Sequence, residues 1–118
     1  MLGRFVFAAV LLTGSAQAQV PSEQPSSKAE LEDFAKGCAA VYLMAADTAR
    51  GDDLSQAMVR GASTVDYYKR STGFSQARVD RDITDMRDRL SERLARTPTP
   101  TLKELRANCD AAFAQAGG

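Results

Sequence analysis

The sequence contains no histidine and no tryptophan, only two cysteines, and just 7% aromatic residues in 118 positions. Without imidazole, the commonest general base and metal ligand at neutral pH is missing. No serine sits in a Gly-x-Ser-x-Gly turn that would present it as a nucleophile. Two cysteines unaccompanied by histidine fall short of a zinc ligand set, and at positions 38 and 109 they lack the Cys-x-x-Cys spacing of a redox pair. No charge of one sign predominates: 15 Lys and Arg face 15 Asp and Glu, for a net charge of zero. That balance supplies no electrostatic reason to bind nucleic acid, an acidic membrane or another polyanion. Strand formers are scarce as well, with Ile83 the single isoleucine, so a β architecture is disfavoured.

One long apolar run is present, at the very start. Arg4 precedes the unbroken stretch Phe5 to Leu12, and Ala16-Gln17-Ala18 places small residues where a signal peptidase reads them. These features predict a cleaved signal peptide over residues 1–18. The run is too short for a membrane anchor, since eight residues of helix reach about 12 Å against roughly 30 Å of hydrocarbon. No cysteine follows the cleavage point to accept a lipid, so no stable membrane insertion is expected after processing. The expected location is the periplasm or the exterior of the cell. Residues 19–26, with Pro21, Pro25 and several Ser and Gln, read as a disordered leader, and residues 27–118 as a single helical domain.

Everything from Ser27 onward carries helical signals. Ser27-Lys28-Ala29-Glu30 has the pattern of a capping box, followed by Leu31, Phe34, Cys38, Val41 and Ala45 at steps of three and four, with Gly51 as the stop. Asp53-Leu54-Ser55-Gln56 repeats the pattern for a second helix whose inner face is Leu54, Met58, Gly61, Val65 and Tyr68, fading at Thr72-Gly73. A third helix from Ser75 to Arg96 places Val79, Ile83, Met86, Leu90 and Leu94 inside. Thr97-Pro98-Thr99-Pro100 forbids continuation. Thr101-Leu102-Lys103-Glu104 then starts a last helix with Leu102, Leu105, Cys109, Ala112 and Phe113 on its stripe. The fold class expected is all-α, a compact bundle of four amphipathic helices.

Cys38 and Cys109 both fall on apolar stripes, and export would take them to a compartment where disulfides persist. An intramolecular bridge between the first and last helices is the leading expectation, with free thiols or a bridge between chains as the alternatives. Closing so long a loop is worth about 4 kcal/mol on chain-entropy grounds. Small residues on the first helix (Gly37, Ala39, Ala40, Ala45, Ala46, Ala49) and on the second (Gly61, Ala62) favour close helix packing over a groove.

Two constellations invite a chemical reading. Asp80, Asp82, Asp85 and Asp88 crowd into nine positions and could share a divalent cation. They alternate with arginines, though, and pairs such as Arg78 with Asp82 and Arg81 with Asp85 stand four apart, so a solvated, self-neutralised helix face is expected. Tyr67-Tyr68-Lys69-Arg70 could stack bases, but the charge balance argues against nucleic acid. Here Tyr68 is assigned to the core, and Tyr67 and Phe74 are the possible partner contacts. No catalytic residue, metal ligand or cofactor is assigned.

The residues therefore point to a non-catalytic binding or accessory module with a protein of the cell envelope as partner. In overall plan, a small exported helical chain whose two cysteines form one bridge, it resembles the periplasmic acid-stress chaperones. That resemblance rests on the Cys38 and Cys109 pair and the helix count, and implies a chain that opens at low pH and holds unfolded clients. Ala35-Lys36-Gly37 lead into Cys38 where that family carries aromatic and threonine residues. A metal-dependent enzyme using the Asp80 to Asp88 run is the third reading.

Overall fold

The computed structural model describes residues 27–115, and the signal peptide expected at 1–18 and the leader at 19–26 lie outside them. Four helices follow in order: α1 Lys28–Ala46, α2 Gly51–Thr72, α3 Gln76–Arg96 and α4 Leu102–Gln115. The described residues contain no strand. The expected all-α bundle is what forms, with the Cys38–Cys109 disulfide joining α1 to α4.

The caps explain most of the boundaries. Ser27 Oγ accepts from the Glu30 amide at 3.1 Å, and Ser75 Oγ accepts from the Arg78 amide at 3.2 Å. At α4 the box closes in both directions: the Glu104 amide donates to Thr101 Oγ1 at 3.1 Å and the Thr101 amide donates to Glu104 Oε1 at 2.7 Å. Each such contact satisfies a donor that the helix itself leaves free. Gly73 ends α2 at φ 76°, a left-handed conformation that lets its amide reach Lys69 O at 2.9 Å.

The first connection departs from expectation. α1 ends at Ala46, before Gly51, and Gly51 opens α2 instead of closing α1. Its φ of 58° makes the turn, and the carboxylates of Asp52 and Asp53 then sit in the first turn of α2, where the helix dipole favours them.

α1 is the hub of the bundle, packed by each of the other three helices. For that reason its buried surface is not one stripe: Ala35 and every residue from Gly37 to Tyr42 are buried. Leu31, expected inside, lies beyond this crossing region and is 40% exposed. Two apolar clusters share α1. The first gathers Ala35, Ala39, Tyr68, Val79 and Ile83, with Leu43, Val65 and Phe74 against it. The second gathers Cys38, Val41, Tyr42, Leu105 and Cys109, with Phe34, Leu90, Leu94 and Leu102 against it.

Where α1 and α2 cross, small residues set the distance. A Cβ on Gly61 would lie 3.3 Å from Tyr42 Cβ, and Ala57, one turn earlier, is fully buried. This approach overturns the expected placement of Met58. With Ala57 and Gly61 facing α1, Met58 is turned to the flank and is 57% exposed.

Candidate functional site

Two polar clusters built on one plan fasten the helices. In the first, the buried Tyr42 of α1 donates to Asp110 Oδ1 of α4 at 2.6 Å, and Arg60 of α2 meets the same oxygen at 2.7 Å. The Arg60 guanidinium also lies 5.4 Å from the centre of the Phe113 ring. In the second, Tyr68 of α2 donates to Asp82 Oδ2 of α3 at 2.7 Å, and Arg78 Nε holds both oxygens of that carboxylate at 3.2 and 3.3 Å. Arg78 stacks on Phe74 at 3.9 Å, and the Phe74 ring meets Tyr68 edge-on at 6.1 Å. A buried tyrosine needs a partner for its hydroxyl, and in each cluster a carboxylate from another helix supplies it.

The electrostatics keep these groups in their bonded forms. Burial first, then the neighbouring carboxylate, pushes both tyrosine hydroxyls well above the ordinary range, so they remain donors. For Asp82, burial pushes upward, but the hydrogen bonds from Tyr68 and Arg78 and the charges of Arg78 and Lys36 outweigh it and hold the carboxyl below its usual value. Glu32 is also lowered, by the hydrogen bond from Ser71 and by Lys28. Ser71 Oγ donates to Glu32 at 2.7 Å while Lys28 Nζ reaches Ser71 O at 3.1 Å, which ties the start of α1 to the end of α2.

The acidic run does not converge. Asp80, Asp85 and Asp88 are exposed, Asp82 is turned inward to Tyr68, and among the described residues no group of three potential ligands could hold a metal ion. Of the charge pairs expected along this helix, Arg78 with Asp82 forms, at 3.2 Å. The solvated-face expectation fails for Asp82 because a buried hydroxyl from α2 recruits it.

The disulfide links helices whose Cα atoms are 5.7 Å apart, within the ordinary range for such bridges. Both cysteines are 2% exposed, so no thiol chemistry is presented at the surface. Of the possible partner contacts, Tyr67 is 38% exposed. Phe74 is half-buried, with its ring engaged by Arg78 and Tyr68.

α2 carries most of the exposed large apolar side chains among the described residues. Met58 and Val59, at 57% and 67% exposure, stand with Tyr67 on this helix. Met58 lines an open groove of roughly 390 Å³ with Leu43 from α1, with Gly61, Ala62, Val65, Asp66 and Lys69 from α2, and with Gln76 from α3; Val59 and Tyr67 are not in its lining. Its walls are mostly apolar. The close approach at Gly61 forms its floor, so tight packing and a groove coexist here although the small residues suggested packing alone. Lys69 Nζ donates to Gln76 Oε1 at 3.0 Å at one end. Asp66 is paired with Arg70 at 2.8 Å.

The described residues form a disulfide-stapled all-α bundle with an open, mostly apolar groove along α2. Among the described residues, no helix is long and apolar enough to cross a membrane. No family model matches the chain, and neither a curated protein nor a solved structure is similar to it.

Proposed function

We propose that the mature chain is a non-catalytic protein-binding module, exported to the periplasm or beyond, that engages an envelope protein through the flank of α2. The supporting observation is that Met58, 57% exposed, lines an open apolar groove on α2 together with Ala62 and Val65, whereas Tyr67, nine positions further on, is exposed on the other side of the same helix. Exposed apolar surface of this kind costs solubility unless a partner covers it, and methionine adapts to the shape of what it meets. Phe74 contributes less, since Arg78 already covers its ring. A photo-reactive benzoylphenylalanine at Met58 or Ala62, both on the groove, in full-length chain exported by its own cells, tests this. One discrete protein adduct is expected from these positions and none from Asp85 on the exposed face of α3. Equal or absent labelling at the three positions overturns the reading.

A second reading, a chaperone that opens in acid, draws on a separate observation: Asp82 and Asp110 each accept from a buried tyrosine of another helix. Protonating Asp82, held below its usual value, weakens the tie between α2 and α3, while the disulfide keeps α4 on α1. Light scattering from an unfolding client at low pH decides it, and undiminished aggregation rejects it.

A further inference from the structure

We infer that the α2 groove receives an amphipathic helix of the partner, seated by aliphatic side chains one turn apart and by a carboxylate that meets Lys69. This rests on the reading of the chain as a protein-binding module and specifies the chemistry of what it binds.

Three observations carry it. First, the groove is open to solvent and its lining is mostly apolar. A trough of this shape leaves too much of a small ligand exposed, since small-molecule sites enclose most of their ligand's surface. A helix brings its own outer face to cover the apolar walls. Second, the α2 residues along the groove, Met58, Ala62, Val65 and Lys69, recur at steps of four, three and four. They run for about 16 Å, which matches a partner helix presenting anchors at i, i+4 and i+7. No strand edge exists among the described residues, so pairing with an extended segment has no template here. Third, the groove carries an unneutralised positive charge. Asp66 is satisfied by Arg70, whereas Lys69 donates to the neutral amide of Gln76 and takes part in none of the ion pairs among the described residues. An acidic side chain at the end of the docked helix completes Lys69, and a basic one there is repelled.

The test uses two synthetic alanine-rich helical peptides carrying leucines at i, i+4 and i+7. One has a glutamate a turn beyond the last leucine and the other a lysine at that place. Binding to the oxidised chain is followed by fluorescence anisotropy at low ionic strength. The glutamate peptide is expected to saturate and to bind about fivefold more tightly than its twin. Lys69→Glu reverses that preference. Ala62→Arg, at an exposed helical position where folding is undisturbed by circular dichroism, abolishes binding of both. The proposal is overturned if neither peptide saturates, if the preference survives Lys69→Glu, or if sedimentation shows a dimer that Ala62→Arg dissolves, which would make a second copy the occupant. Failure of the peptides while the α2 photo-adduct persists removes only the acidic helix. Loss of the adduct itself removes the binding module.

Discussion

The two halves of the bundle use the same arrangement, a tyrosine bonded to an aspartate that an arginine also holds, with the arginine over a phenylalanine, yet only one half is closed covalently. Around Tyr42 the arrangement joins α1, α2 and α4, and Cys38–Cys109 lies in the same cluster. Around Tyr68 it joins α2 to α3 with no covalent support. α3 is also the most polar helix, with only Val79 and Ile83 fully buried. The difference is that α4, the shortest helix at 14 residues, carries a covalent tie to α1 and is therefore expected to depend on it. α3 is longer and packs along its length, through Val79 and Ile83 in its first half and Leu90 and Leu94 in its second.

The largest effect is expected where the halves differ most. The double substitution Cys38→Ser with Cys109→Ser removes the constraint on a separation of 71 residues and should cost about 4 kcal/mol. Chemical denaturation measures it, and a loss below about 1 kcal/mol would show that α4 docks without the bond. Next comes the crossing shared by both halves. Gly61→Val places a branched side chain where even a Cβ would lie 3.3 Å from Tyr42 Cβ. Both atoms are fixed to helix backbones, so α1 and α2 must separate. Overpacking of this kind costs about 1–3 kcal/mol, more than the better helix propensity of valine over glycine returns.

Removing one hydroxyl from each cluster sharpens the comparison directly. Tyr42→Phe and Tyr68→Phe each delete a bond to a charged acceptor while leaving the arginine in place, at about 1–2 kcal/mol each. Tyr42→Phe should cost more in the oxidised protein, because Tyr42 is fully buried and its partner lies on α4. Amide exchange locates the damage: Tyr68→Phe should loosen α3, and Tyr42→Phe should loosen α4. Acid gives the same contrast by another route. Asp82 is held below its ordinary value in the folded chain, so its contribution is complete above the unfolded carboxyl pKa of about 4 and is lost as pH falls through the lower folded value. Urea midpoints should therefore hold steady from pH 8 to about 5, where no histidine exists to titrate, and fall below pH 4. Asp82→Asn should flatten that fall.

Much of this was legible in residue order. The Ser27 and Thr101 capping boxes located two helix starts, whereas the box expected at Asp53 does not form, because α2 already opens at Gly51 with Arg50 as an N-cap that makes no side-chain bond. The apolar steps along α3 and α4 named the residues that are buried or half-buried there. The errors have physical causes. A stripe assumes one neighbour, whereas α1 has three, so Tyr42 escaped notice, while Gly37 and Ala40 read as close-packing residues but fall off the stripe. Periodicity placed Met58 inside because it is large, but the crossing with α1 admits only Ala57 and Gly61. The groove that follows from that reversal cannot be read from spacing, because it depends on where α2 sits on α1. Asp82 looked like its exposed neighbours, since nothing local reveals that Tyr68, from a different helix, needs an acceptor. The signal available was Tyr68 itself, a buried hydroxyl in want of a partner.

The smallest effect isolates that last distinction. Asp82 and Asp85 are three positions apart in the same arginine-rich stretch, and each stands four residues from an arginine. Asp82 is 15% exposed at its side chain and bonded to two residues. Asp85 is exposed, and the pair expected with Arg81 does not form among the described ion pairs. Asp85→Ser should therefore change stability by no more than about 0.5 kcal/mol, with no change in the acid limb. Asp82→Asn, by contrast, should lower stability at pH 7 and blunt the acid limb together. Equal responses at the two positions would mean that the Tyr68 contact adds nothing beyond the helix-surface charge pattern, and that α3 is held by its apolar contacts, Val79 and Ile83 in one cluster and Leu90 and Leu94 against the other.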